Sequence, residues 1–199
     1  MNLNGNMMVS IDVETTGLLA GVHEIVQIAV VPLDGDLVPC ENHKPFYHHI
    51  APQRPENVQK KAFAINGLDL DWLLANGLDP WRAADLFDDW FQALELPFGK
   101  RLVALAHNYP FERGFLINWL GPESFEQFFY IHPRDTQAFG AMINDAAVYH
   151  GKKIPFNNLS LTAMTKIFGI DNEKSHDALA DALAGAKLYR ELILSFGRN

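Results

Sequence analysis

The chain is predicted to be an α/β protein, a mixed five-stranded sheet flanked by helices. Three observations predict it. Three strand-like segments fall in the first fifty residues, with Gly35 in a hairpin loop between the second and third. The second of them, Glu24 to Leu33, is β-branched and nearly continuous in its apolar character, as a central strand must be when both of its faces are covered. Beyond Pro80, short apolar runs alternate with apolar residues at three- and four-residue spacing, the pattern of helices packed on a sheet.

In order, Met7 to Val13 is apolar up to Asp12 and reads as the first strand, with Gly17 and Gly21 marking the loop that follows. Glu24 to Leu33 is the second strand and Pro45 to Ile50 the third; Pro52 to Pro55 is a surface connection. A short helix is expected around Val58 to Phe63. A longer one is expected over Trp81 to Leu94, where Ala84, Phe87, Trp90, Phe91 and Leu94 share a face behind Pro80. Arg101 to Ala106 is a short strand, Phe111 to Leu120 a helix closed by Gly121-Pro122, and Phe125 to Ile131 a further short strand. Asp135 is placed to cap a helix over Thr136 to Val148. Asn158 to Phe168 is a helix stopped by Gly169, and the last helix carries Leu179, Leu183, Ala186, Ile193 and Phe196 as its apolar stripe. No repeat or low-complexity tract interrupts the chain, so residues 1–199 are expected to form one domain.

Composition bounds the function. The chain has 199 residues, 48% apolar and 20% charged, enough for a substantial core and too apolar for disorder. No apolar run approaches the length of a bilayer span, and no basic, apolar and small-residue succession marks a secretory leader at the N-terminus. Cys40 is the only cysteine; it excludes an internal disulfide and a multi-cysteine zinc site, and suits the reducing cytoplasm. The net charge of -8 disfavours extended duplex binding. It disfavours a metal-dependent nuclease less, because bound cations neutralise the acids and only a few nucleotides need be held.

The chemistry sits at the two ends of the sequence. The head reads Ile11-Asp12-Val13-Glu14-Thr15-Thr16-Gly17-Leu18, the tail Ser175-His176-Asp177-Ala178-Leu179-Ala180-Asp181. Side chains alternate across a strand, so Asp12 and Glu14 share a face. Asp181 lies near the start of the last helix, about 160° around from Leu183 at about 100° per residue, and so points away from that stripe. Converging carboxylates repel unless a cation is present, and oxygen ligands suit magnesium or manganese. Taken singly, each residue has a plain reading: strand-terminating acids, a surface Asp, a surface His near a cap. His176 is five positions before Asp181, and on one continuous helix the two would diverge by about 140°; they serve one site if His176 lies in the loop entering the helix. A histidine there is the natural proton acceptor for a water nucleophile. Asp177 reads as an acid favouring the helix dipole. A further acid, Glu112, follows His107-Asn108 and Pro110 in the first turn of its helix.

This arrangement resembles the DEDD superfamily of 3'-to-5' exonucleases, in the branch whose last motif uses histidine. Asp12 and Glu14 match the first motif, His107-Asn108 with Phe111-Glu112 the second, and His176 with Asp181 the third; Asp135-Thr136 resembles the Asp-Thr that opens a helix between the last two. The stretch Ala62-Phe63-Ala64-Ile65-Asn66-Gly67-Leu68-Asp69 resembles the segment after the third strand in ribonuclease T. The resemblance runs over nearly the whole chain, and ribonuclease T and the proofreading subunits are the nearest branch. It implies a ribonuclease H-like fold and two magnesium or manganese ions. Asp12, Glu14 and Asp181 would hold one ion and Asp12 with Glu112 the other, with His176 as base. It also implies single-stranded RNA or DNA 3' ends as substrate and release of nucleoside 5'-monophosphates. Leu18, Asn108 and Phe111 are the expected contacts to the terminal nucleotide. Many ribonuclease T relatives are homodimers, and a polymerase or an RNA-processing partner stays open. The chain departs from the pattern at Glu112, where the family has Asp. The added methylene is expected to alter metal preference toward manganese. Two other readings stand beside the exonuclease: a catalytically impaired nucleic-acid-binding module on the same fold, and a metal-dependent endonuclease or phosphatase.

Overall fold

The computed structural model describes residues 3–172 and 174–196, with the side chain of Phe196 outside the described residues. Its centre is a five-stranded sheet in the order β3-β2-β1-β4-β5. The strands are β1 (Met7–Thr15), β2 (Ile25–Leu33), β3 (Phe46–His49), β4 (Leu102–Ala106) and β5 (Arg134–Asp135). β2 runs antiparallel to both β1 and β3, whereas β4 runs parallel to β1 and β5 parallel to β4. The sheet is thus mixed, and β1 joins its antiparallel and parallel halves. The C-terminal ends of β1, β4 and β5 open on the same side, where open α/β sheets hold ligands.

Alternation along β1 builds two cores. Val9, Ile11 and Val13 face a cluster with Phe87, Phe115, Leu116, Phe125 and Phe128, carried on α3 (Pro80–Gln92), α4 (Tyr109–Leu120) and α5 (Pro122–Phe128). Met8, on the other face, joins Ala178, Ala182, Ala186 and Tyr189 of α8 (Ala178–Phe196). Ser10 on that same face donates to the Ala182 carbonyl at 2.6 Å. α6 (Thr136–Tyr149) and α7 (Leu161–Ile167) close the outer side of α8 around Phe156, Met164, Leu188 and Leu192. β2 is buried along its whole length, as its apolar run requires.

Several elements differ from expectation. Residues 125–131 do not form a strand. Gly121, at φ 80°, breaks the chain after α4, and Pro122 opens α5. Phe125, Phe128 and Phe129 then meet the core at helical spacing, and the stretch pairs with the sheet only through an isolated bridge between Phe129 and Leu102, where Tyr130 N–H donates to the Leu102 carbonyl at 2.8 Å. The fifth strand is instead Arg134–Asp135, two residues long because Asp135 immediately caps α6. After α1 (Lys60–Asn66), the unforeseen α2 (Leu70–Asn76) begins where Asp69 accepts from the Trp72 N–H at 2.7 Å.

The buried stripe of α8 is also rotated. Ala178, Asp181, Ala182, Ala186, Tyr189 and Leu192 are buried, whereas Ile193 is exposed and Leu179 and Leu183 are only partly covered. Small residues let the helix axis approach the sheet closely, so the alanine face wins over the leucine face. Asp181, expected to point away from the core side, lies on the face that meets the sheet.

Candidate active site

Four carboxylates from three elements converge at the C-terminal end of β1. Asp12 and Glu14 point from β1 toward α8, and a register shift between Glu14 and Thr15 ends the regular pairing there. Asp181 comes from the first turn of α8 and is 9% exposed. Glu112 comes from the first turn of α4 and is 3% exposed. His176 lies in the turn before α8, as expected, with φ 70°. That left-handed residue takes it off the helical path, so the divergence expected on one continuous helix does not arise. Its backbone N–H donates to Asp181 Oδ2 at 2.9 Å, and ligand atoms of Glu14, His176 and Asp181 lie within 4.8 Å of one another.

The electrostatics show a site short of positive charge. Burial, then the charges of Glu112, Asp181, Glu14 and Asp177, push the Asp12 carboxyl well above the usual carboxylate range. Glu14 is pushed up to about 8, first by burial and then by Asp181 and Asp177. Glu112 is also pushed well up, mainly by burial. Its Oε2 is buried without a hydrogen-bond partner among the described residues. An orphaned buried carboxylate oxygen beside other acids is costly unless a cation satisfies it. The all-oxygen acids with one imidazole therefore fit hard divalent ions.

Local structure aims these groups. Asp135 caps two helices at once: its Oδ1 accepts from Gln137 N at 2.8 Å and Ala138 N at 3.1 Å in α6, and from Asn108 N at 3.2 Å, while Oδ2 accepts from Tyr109 N at 2.9 Å. It thereby fixes the start of α4 and the position of Glu112. Asn108 adopts φ 71°, a conformation Asn tolerates better than most residues, and its side chain is exposed. Half-buried Phe111 stands beside Glu112, its ring 4.8 Å from that of Phe115. Leu18 is 73% exposed at the tip of a loop tied down by Thr15, Thr16 and His23. Thr16 Oγ1 accepts from Glu24 N at 2.9 Å, and His23 Nδ1 accepts from Leu19 N at 3.0 Å. Gly17 is required by close approach: a Cβ there would lie 2.4 Å from the His23 ring. Phe125, Phe128 and Phe129 pack into the core.

Sequence reasoning missed one set of residues beside the site. Buried Gln27 of β2 bonds to Tyr47, His49 and the Ala178 N–H, and Tyr47 donates to Asp177 Oδ2 at 2.7 Å. Asp177 is the cap of α8, accepting from Ala180 N at 3.0 Å. The available signal was a lone amide inside the apolar run of β2.

Residues 9–189 match the family model of the RNase T type, described as exonuclease. Ribonuclease T of Yersinia enterocolitica is 28% identical over 194 residues, covering 95% of this chain and 85% of that protein. The 3'-5' DNA exonuclease Cap18 of Escherichia coli is 27% identical over 191 residues, covering 96% of this chain and 93% of that protein. Among solved structures, the zinc-bound complex of E. coli exonuclease I with single-stranded DNA superposes with a TM-score of 0.77 at 20% identity. It covers 97% of this chain, which spans 41% of that longer protein. No helix among the described residues is long and apolar enough to cross a membrane.

Proposed function

The chain belongs to the RNase T family of exonucleases, and from that premise we propose that it removes nucleotides from the 3' ends of single-stranded RNA or DNA, using Asp12, Glu14, Glu112, His176 and Asp181. The observation that carries this reading is the convergence of the four buried or half-buried acids with an exposed imidazole at one sheet end. The relatives named for ribonuclease T and 3'-5' DNA exonuclease activity support the polymer and its polarity.

Asp12, Glu14 and Asp181 would hold one magnesium or manganese ion, and Asp12 with Glu112 a second. When bound, such ions neutralise the carboxylates and stabilise charge on the attacking and leaving oxygens. His176 is exposed and accepts the proton of the attacking water. The water oxygen bonds to the terminal phosphorus as the bond to the 3' oxygen of the preceding nucleotide breaks. That oxygen leaves, takes up a proton, and a nucleoside 5'-monophosphate is released. Asp181, by holding the His176 backbone, keeps base and acids in register. Leu18, in the loop after β1, and Asn108 and Phe111, at the start of α4, would receive the terminal nucleotide; an apolar or aromatic surface holds any base.

The test is incubation with 5'-labelled and 3'-labelled single strands of RNA and DNA, with magnesium or manganese, against Asp12→Ala and a chelator. Stepwise metal-dependent release of 5'-mononucleotides from the 3' end, lost in the variant, is expected. Cleavage of circular single strands would replace this reading with an endonuclease. Turnover of small phosphomonoesters alone would indicate a phosphatase, and binding without cleavage a nucleic-acid-binding module.

A further inference from the structure

We propose that Gln27 is a positioning residue for His176, acting through a buried hydrogen-bond relay that fixes both the turn before α8 and the proton on His49. The inference rests on the reading of His176 as proton acceptor. Gln27 is 2% exposed within a strand whose other residues are apolar, so its amide must find its partners inside the protein.

The directions of these bonds follow from chemistry. The Ala178 N–H can only donate, so Gln27 Oε1 is the atom that faces it, at 2.8 Å. The amide NH2 then points at Tyr47 Oη and His49 Nε2, both at 2.9 Å. The same nitrogen lies 3.4 Å from Asp177 Oδ2, too long to compete with the two contacts at 2.9 Å, so its two hydrogens go to Tyr47 and His49. Tyr47 Oη therefore accepts from Gln27 and turns its own proton to Asp177 Oδ2, at 2.7 Å. His49 Nε2 is left to accept, so His49 is neutral with its proton on Nδ1. Burial, which lowers the His49 pKa, acts in the same direction. The ring of Trp72 packs edge-on against His49 at 5.1 Å.

The consequence falls on His176. Its φ of 70° is uncommon outside glycine and persists where surrounding contacts dictate it. Asp181 holds the His176 N–H from one side. From the other, Gln27 and Tyr47 hold the next two residues, Asp177 and Ala178. Gln27, buried and in contact with both Ala178 and Tyr47, thus ties the base-bearing turn to the sheet carrying Asp12 and Glu14.

The experiment compares Gln27→Leu, Tyr47→Phe, His176→Ala and the double variant Gln27→Leu with His176→Ala, on labelled single-stranded oligonucleotide with manganese. Gln27→Leu is expected to lower kcat about 10- to 100-fold, the scale for removing a group that orients a functional side chain, with KM and manganese affinity little changed. Tyr47→Phe should give a smaller fall in kcat. In the His176→Ala background, Gln27→Leu should cost almost nothing further, because the two act through one group. Nitrogen-15 spectra of the wild-type protein should show His49 protonated on Nδ1 alone. Gln27→Glu, which has no hydrogen to give, should convert His49 to the imidazolium.

Full kcat in folded Gln27→Leu, or a full additional loss in the double variant, would overturn the proposal. Protonation of wild-type His49 on Nε2 would do so whether or not the Gln27→Leu protein folds. An inactive wild type would instead remove the reading of His176 on which the proposal rests.

Discussion

The backbone N–H of His176 donates to Asp181 Oδ2 at 2.9 Å, while Asn172 Nδ2 donates to the other oxygen, Asp181 Oδ1. The proposed base and one of the proposed ligands are therefore mechanically one unit, with the acid reached from the backbone of the base. Both oxygens already accept from the protein, and their remaining lone pairs are available to a cation.

Asp181→Asn keeps the shape but presents an NH2 group to one of these two donors and loses the charge. Activity should fall by about 100-fold or more, since a charged ligand near the reacting phosphate supplies several kcal/mol. Circular dichroism should show the fold retained. Near-full turnover in this variant would remove Asp181 from the metal set.

The acids make a prediction about pH. The Glu14 carboxyl ionises at about 8 when folded, against an ordinary 4.5, and Asp12 and Glu112 shift in the same direction. Between those values the folded state binds more protons than the unfolded chain, so stability falls as pH rises. Metal-free protein should therefore melt at a lower temperature at pH 8 than near pH 4.5. Magnesium or manganese at 100 times its dissociation constant should add about 2.7 kcal/mol and flatten the slope. Thermal melts with chelator and with metal across this range test it. A metal-free melting temperature that rises from pH 4.5 to 8 would count against the cluster as drawn.

Glu112 stands where the resemblance implies an Asp. Its buried Oε2, without a hydrogen-bond partner among the described residues, reaches one methylene farther than Asp would. Glu112→Asp should shift the ratio of magnesium to manganese rates toward magnesium, measured on one oligonucleotide at saturating metal. An unchanged ratio would show that the longer acid has no bearing on metal preference. Glu112→Gln should raise the stability of metal-free protein, because a buried acid is replaced by a neutral amide.

Asp135 accepts four backbone N–H groups at the starts of α4 and α6. Losing one helix cap costs about 1 kcal/mol, so Asp135→Ala should cost about 2–3 kcal/mol in urea unfolding. Activity should fall as well, because the start of α4 carries Glu112. A loss below about 0.5 kcal/mol, the level of an ordinary surface change, would mean that the two caps are not effective.

Gly17→Ala would place a Cβ 2.4 Å from the His23 ring. The ring or the loop must move, and the Leu18 tip with it. KM for oligonucleotide should rise more than kcat falls. Equal effects on both would place Leu18 outside the substrate path.

Alternation alone put Asp12 and Glu14 on one face of β1, since strand periodicity is a property of neighbouring residues. The Asp135 cap, the loop position of His176 and the apolar burial of β2 were legible for the same local reason. The orientation of Asp181 was not. Leu179 and Leu183 mark one face of α8, yet the alanines beside Asp181 let the helix sit closer to the sheet, and only the assembled layers choose between the two. The fifth strand was misplaced because phenylalanines at positions 125, 128 and 129 suit a strand or a helix equally well until the core they fill is known. Gln27 was missed: an amide in an apolar run was the available signal, but its partners, 20 to 151 residues away, meet only in the folded chain. Local periodicity supplies faces and caps; which distant groups complete a hydrogen-bond network is decided by how the layers close.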